Sequence, residues 1–461
     1  MARDAPSLLA GLWSALHGGA ELAGTVAFEG PAGGLPSIYA VAELGAAQIG
    51  AATLAAAELL AVRERKSIRP SQVDRRHAVA AFRSERYLRP IGWQRPAPWD
   101  PIAGDYRARD RWIRLHTNYA SHRAAALGVL GTPAERESVA RAALGWNADA
   151  LEAAVVRAGG CAAVMHTESE WNAHPHGAAV AAEPLVAVDA MPAAAEELPP
   201  SAGSPLGGIR VLDLTRVIAG PVCTRFLAAY GADVLRIDPP GFEEVGALLA
   251  ETTAGKRRAS LDLRDARGRG AFERLVAEAH VLVSSYRPDA LERLGLSHAA
   301  LRAINPALTI ASLDAYGHAG PWRHRRGFDS LVQMSCGIAA RGQQVAGAEA
   351  PAPLPAQALD HGTGYLLAAA VCRALTRRLQ RSEVSIVHMS LARTAKWLMD
   401  LGEAPIAGDR EFTAQEVELW LETVESAWGP LARVRCPGRI AGTKPGWSRP
   451  PGPLGTDPPA W

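Results

Sequence analysis

IRVLDLTRVIAGPVCTRFLAAYGADVLRID, from Ile209 to Asp238, decides the fold. It opens on the apolar run IRVLDL and passes through a loop into a helical stretch around Val222 to Tyr230. It closes on a second run, DVLRID, from Asp233 to Asp238. The alternation continues: a helix over Ala266 to Ala279, VLVSSY from Val281 to Tyr286, the helix LSHAALRAIN, and LTIASL from Leu308 to Leu313. Short β-branched runs separated by helices of about ten residues predict βαβ units and an open, parallel, Rossmann-like sheet of an α/β domain. Two more helices are expected, Ser330 to Ala340 and Gly362 to Leu379, the second ending in a basic turn with Arg377, Arg378 and Arg381.

Before this stretch lies MPAAAEELPPSAGSPLGG, residues 191–208, where Pro, Ala, Ser and Gly replace any periodic pattern and imply a linker. The chain divides accordingly into a helical segment at 1–85, a smaller α/β domain at 86–190, the linker, the sheet domain at 209–400, and a tail at 401–461. In the small domain a strand is expected at Arg111 to Asn118, with helices at Ser121 to Leu130, Pro133 to Leu144 and Asp149 to Ala158, and a short strand near Ala162 to Met165. The tail should form one helix, Thr413 to Trp428, and then lie across a surface, because it ends in Pro- and Gly-rich KPGWSRPPGPLGTDPPAW. An Ala-rich helix followed by a basic loop occurs twice, in Ile49 to Ala78 and in Thr363 to Ala392, an internal echo that aligns Ala46 with Asp360.

Composition narrows the function classes. With 461 residues, 48% hydrophobic and 21% charged, the chain is an ordinary globular protein of two or three domains. Its 49 basic and 47 acidic side chains leave +2, so no chain-wide field recruits nucleic acid or an anionic membrane, and any anion site is local. The five cysteines are scattered and never form a CxxC pair, which excludes a disulfide framework or zinc cluster and points to a reducing, cytoplasmic setting. The N-terminal MARDAPSLLAGLWSALHGG reads as a helix, and the long apolar region from Tyr39 to Val62 carries Glu43, Gln48 and Glu58, each costly at a bilayer centre.

The loop after Leu214 lacks both GxGxxG and the Walker pattern, no GxSxG elbow is present, and no HExxH pattern supplies a metal site. What stands out is ALDHGTGYLLAAA, from Ala358 to Ala370. Asp360 precedes a Gly-punctuated helix start, and two readings stand: a capping carboxylate, or a nucleophile that Gly362 and Gly364 leave open to a bulky acyl group. Asp329, in RRGFDSLVQ, has the same capping reading. Lys256, Arg257, Arg258, Arg287, Arg293 and Arg326 recur at element ends, where an open α/β sheet gathers phosphates.

Five ordered segments resemble the class III coenzyme A transferases of the CaiB/BaiF family: Gly208 to Asp238, then GKRRASLDLRD, then VLVSSYRPDALERLGL, then INPALTIASLDAYGHAGPWRHRRGFDSLVQMSCG, and finally ALDHGTGYLLAAAV. The resemblance implies that Asp360 is the nucleophile and that CoA is held by Tyr286, Arg293 and Arg326, with Lys256 and Arg257 more loosely matched. It also implies a course in which the Asp360 carboxylate attacks an acyl-CoA thioester, forms an aspartyl anhydride and then an aspartyl-CoA thioester, and acylates a free carboxylic acid. No permanently bound cofactor and no metal is called for; the partners are acyl-CoA and a free carboxylic acid, not nucleic acid or membrane, in an interlocked homodimer.

The α-methylacyl-CoA racemases of the same family use a His where this chain has Phe328, which disfavours that alternative, although His324 or His361 could substitute. Segments similar to the family's small domain come first here, and Ile218 replaces a polar residue often found in the VxAGP loop. A catalytically degenerate CoA-binding homologue is therefore the third expectation.

Overall fold

The apolar runs of the second half become one seven-stranded sheet in this computed structural model, which describes residues 3–193 and 198–461. Of the expected linker, residues 194–197 lie outside the described residues. The strands are β1 (Ala187–Pro192), β2 (Arg210–Leu214), β3 (Asp233–Asp238), β4 (Lys256–Ser260), β5 (Val281–Ser284), β6 (Thr309–Asp314) and β7 (Glu383–Ser390). Their spatial order is β4-β3-β2-β5-β6-β7-β1. Only β1 runs antiparallel, against β7; the other pairings are parallel. The chain winds outward from β2 to β3 and β4, then restarts at β5 on the other side. The crevice beyond the C-terminal ends of β2 and β5 is thus the topological switch point, where open α/β sheets take ligands.

The period of two along each strand fills both faces. Val211, Val234, Val281, Val283, Ala311 and Val387 pack into the larger core, while Leu212, Leu235, Leu282 and Ile310 pack with Phe272, Leu275 and Val276 of the helix Ala266–Glu278 on the other side. The larger core is built by three helices: α1 (Val41–Glu64), α2 (Ala219–Ala229) and α4 (Ala358–Arg381). A shorter helix, α3 (Asp329–Ser335), precedes α4. Residues 104–164 form an antiparallel three-stranded sheet, Gly104–Arg107, Trp112–Leu115 and Ala162–Val164, with helices Ala120–Leu130, Arg136–Ala143 and Ala148–Arg157 around a separate apolar cluster.

Several expectations need correction. Lys256 to Arg258 form the first three residues of a strand rather than standing at a strand C-terminus, and Asp213, Asp233 and Asp457 neutralise the three cations in turn. The helix expected at Ser330 to Ala340 breaks at Gly337, whose φ of +96° and close approach to the backbone of Glu168 divide it. In the tail the helix is only Ala414–Glu418; Leu421–Val424 then pairs with Leu431–Val434, which pairs with Arg89–Pro90. The tail also builds core, since Leu431, Val434 and Ile440 are buried.

The echo between the halves is real in shape and shifted in register. Both α1 and α4 have 24 residues, each ends on a left-handed residue, Arg65 or Ser382, and each links a pair of parallel strands, Val26–Glu29 with Ser71–Asp74 in one case and β6 with β7 in the other. Aligned by their starts, the third residue of α1 is Glu43, not Ala46, opposite Asp360 in α4.

The glycines of α4 serve packing. A Cβ on Gly362 would fall on the Gln48 side chain of α1, and one on Gly364 on the Ala219 carbonyl oxygen of α2. They let helices approach rather than a substrate. Gly364→Ala should therefore destabilise by about 1–3 kcal/mol. Urea unfolding checks this against Gly128→Ala, where the added methyl meets open space and the better helix propensity should leave stability unchanged or raised.

Candidate active site

A cavity of about 690 Å³ opens at the switch point and collects the loops after every strand from β4 to β7. The five steps between those strands, at about 4.8 Å each, give a groove about 24 Å long. Its floor includes Leu214 and Arg216 after β2, Asp238 and Phe242 after β3, Asp262 and Arg264 after β4, Tyr286 and Arg287 after β5, and Asp314 at the end of β6. The small unit adds Tyr119 and His122, and α4 adds Asp360.

Asp360 is 6% exposed, and among the described residues its carboxylate accepts no hydrogen bond. It lies in the first turn of α4, not at the cap. The helix has no side-chain cap of its own. Instead Asp329 Oδ2, reaching across from α3, accepts the N–H of Leu359 at 2.9 Å and of Asp360 at 3.0 Å. Both capping readings are thereby revised: Asp360 caps nothing, and Asp329 caps a different helix from its own. Burial, then the charges of Asp329 and Glu85, raise the Asp360 carboxyl well above its ordinary range. Burial pushes Asp329 up to about 6 against its hydrogen bonds from the Asp360 amide, Gln333 and the Leu359 amide. Glu85 comes from the N-terminal part of the chain and pairs with His361 Nε2 at 3.0 Å.

The loop after β2 is held from below. Asp213 accepts from Thr215, from Thr224 Oγ1 at 2.8 Å and from Lys256 Nζ at 2.8 Å, all buried. Val217, next in that loop, adopts φ of +63°, a conformation costly for a β-branched residue, and its N–H donates to Glu244 Oε2. Glu244 in turn binds Arg236 and the Tyr119 hydroxyl at 2.6 Å. This polar core fixes the strained loop that presents Arg216, Val217 and Ile218 to the cavity.

Of the residues anticipated for binding, the structure brings Asp360, Tyr286 and Arg326 to one cavity. Arg216 Nη2 donates to the Tyr286 hydroxyl at 3.1 Å, and its guanidinium lies between the Phe242 ring at 3.7 Å and the Tyr286 ring at 4.8 Å. Arg326 is exposed and donates to the Gly159 carbonyl. Arg293 is not among the lining residues; it is 71% exposed on its side chain and pairs with Asp289 at 2.5 Å. Lys256 is fully buried under Asp213 and pushed down to about 8 by burial. Arg257 turns to Asp233, at 2.5 Å, and to the carbonyl of Ala460. Both stand outside the cavity because aspartates on neighbouring strands claim their charge. Arg216, Arg264, Tyr119, His122 and Asp314 were missed in sequence. The loop TRVIAGP carries no nucleotide signature that would single out Arg216, and nothing local relates residues 119–122 to a strand end a hundred positions later.

Fold and site together define an α/β protein with an arginine-lined groove at its switch point and a buried carboxylate, unpaired among the described residues, facing into it. The family model of the CoA-transferase family III matches residues 206–455, and the chain belongs to that family. An acyl-CoA transferase of Fusarium pseudograminearum is 31% identical over 211 residues, covering 41% of this chain and 45% of the relative. A formyl-CoA:oxalate CoA-transferase of Escherichia coli is 32% identical over 201 residues, 40% of this chain and 48% of that one. A crystal structure of a CaiB/BaiF family protein from Brucella suis superposes with a TM-score of 0.37 at 26% identity, covering 49% of this chain and 65% of that one. The chain thus spans about half the length, or less, of the curated relatives it matches first.

Replacing Lys256 by Met leaves Asp213 charged and buried without its cation, so it should lower stability by about 3–5 kcal/mol. Chemical denaturation measures it, and a loss below 1 kcal/mol would contradict the anchoring role.

Proposed function

We propose that the protein transfers coenzyme A between an acyl-CoA and a free carboxylic acid, with Asp360 as the nucleophile. The observation that carries this reading is a carboxylate buried in the first turn of a core helix, free of hydrogen bonds among the described residues and facing the cavity. A structural aspartate so placed would be satisfied by a partner. Its backbone is fixed by Asp329, so the carboxylate is aimed by the helix rather than by a flexible chain.

In the proposed course an Asp360 oxygen attacks the thioester carbon, the C–S bond breaks, and the electron pair leaves on the CoA sulfur. The thiolate then attacks the aspartyl carbonyl of the anhydride, releasing the acyl group as its acid. An incoming carboxylate reverses the two steps with a different acyl group. Covalent catalysis conserves the activation of the thioester throughout, first in the mixed anhydride and then in the aspartyl-CoA thioester. Arg264, Arg287 and Arg326 would meet the phosphates and Tyr286 the nucleotide part, with Arg216 clamped between aromatic rings to hold that wall.

We further propose that residues 104–164, the core of the small domain expected at 86–190, close one side of the groove through Tyr119 and His122, and that the active form is a cytoplasmic homodimer whose mass in solution is measurable. Val41–Glu64, long and apolar enough to cross a membrane, is 89% buried inside the fold over its most apolar window.

Asp360→Ala should abolish transfer, and mass spectrometry after incubation with an acyl-CoA should place an adduct on Asp360 in the wild type only; undiminished activity in the variant would refute the reading. Because the Asp360 carboxyl is raised, kcat/KM should climb with pH through a limb above the ordinary carboxylate range, where the group ionises. Asp329→Asn removes a neighbouring negative charge while leaving an acceptor for the two amides. It should shift that limb to lower pH in a pH-rate profile.

A further inference from the structure

Two short segments flank Asp360 in the cavity. Gly364, one turn further along the same helix face, sits against the Ala219 carbonyl, so Ile218 and Ala219 border the carboxylate on one side. On the other side, Asp329 grips the Asp360 amide, and the residues just before it, Gly327 and Phe328, line the cavity. The lining residues Ile218, Ala219, Gly327 and Phe328 are themselves uncharged.

Around Phe328 the wall is aromatic. His116 stacks on it with ring centroids 3.6 Å apart and planes at 2°, and the rings of His122 and Tyr119 lie 5.9 and 6.2 Å away. Burial holds His116 down to about 3 and His122 down to about 4, so both rings are neutral at physiological pH. The ionisable groups that act on Asp360 are the acids Asp329 and Glu85. Asp314, which also lines the cavity, is a further acid, 7% exposed, with His318 Nε2 3.4 Å from its Oδ2. The cations nearest in sequence to the aromatic flank are engaged elsewhere: Arg325 with Glu152 at 2.8 Å and Arg326 with the Gly159 carbonyl.

We propose that the acyl group carried by Asp360 is an apolar one without a second charge, that is, the acyl part of a hydrophobic monocarboxylic acid rather than of a dicarboxylic acid. This rests on the transferase reading above. A second carboxylate would be stripped of water between apolar flanks and set among acids. An alkyl or aryl chain would instead bury against Ile218 and Phe328.

The test compares hexanoyl-CoA with adipoyl-CoA, equal in chain length and different only in the terminal carboxylate. The full-length protein is mixed with each donor in single-turnover experiments that follow thiol release and the adduct on Asp360. Hexanoyl transfer to Asp360 should be at least tenfold faster, and Phe328→Arg, which places a cation on the flank, should narrow the ratio. Equal or faster reaction with adipoyl-CoA in the wild type would overturn the proposal while leaving the transferase reading intact. No adduct and no thiol release with either donor would overturn both.

Discussion

The start of α4 has no cap of its own, and a carboxylate thirty residues upstream supplies one. That single contact, Asp329 onto the amides of Leu359 and Asp360, joins the loop following β6 to the longest buried helix of the sheet domain. It sets where the helix begins and therefore where Asp360 projects. Everything around it depends on the same registration: Gly362 and Gly364 meet α1 and α2 only if the first turn is in place, and the cavity wall at Phe328 is the residue next to the one that grips. A capping interaction is worth about 1 kcal/mol in an exposed helix. Here it also positions the group on which the proposed chemistry turns.

The duplicated helices show how one architecture can be used twice with different results. Glu43 occupies in α1 the position that Asp360 occupies in α4, and both are buried in a first turn. Yet Glu43 Oε2 accepts the Ala5 amide at 2.7 Å and faces Arg75 at 3.4 Å, so it ties down the N-terminal helix. Among the described residues, Asp360 has neither an amide nor a cation on its carboxylate, and the charges that act on it are the acids Asp329 and Glu85. The same backbone place thus yields a structural anchor where donors are supplied and a strained, ionisable group where they are withheld.

Most of the sheet was legible because β-branched runs of period two, separated by helices, allow few alternatives: β2, β3, β5 and β6 lie within a residue or two of their expected ends. What failed to show was of a different kind. The strand β4 reads as a group of cations at an element end until Asp213, Asp233 and Asp457 are known to face Lys256, Arg257 and Arg258, and those partners are set by sheet order rather than by local pattern. For the same reason Lys256 and Arg257 resembled phosphate ligands. Asp360 stands out by its motif, but the grip of Asp329 crosses 31 residues and the approach of Glu85 to its neighbour His361 crosses 276, and neither follows from local pattern.

The acids around Asp360 have a consequence for the proposed reaction. Asp329 and Glu85 destabilise its carboxylate relative to any state in which the charge is gone. At low pH that state is the protonated acid, which cannot attack. At higher pH the carboxylate persists at a cost, and acylation removes the cost because both the anhydride and the thioester are neutral at the aspartyl group. Burial, which raises the pKa most, and the repulsion from Asp329 and Glu85 therefore both favour the covalent intermediates over the ionised resting enzyme at each of the two aspartyl stages. A cation beside Asp360 would bring the carboxyl into its ordinary range and make it ionise more readily, but it would stabilise the resting state and remove this bias. The near balance of 49 basic and 47 acidic residues hides a local arrangement: arginines line the groove on the loops after β2, β4, β5 and β6, while the carboxylate of Asp360, the proposed nucleophile, pairs with none of them among the described residues.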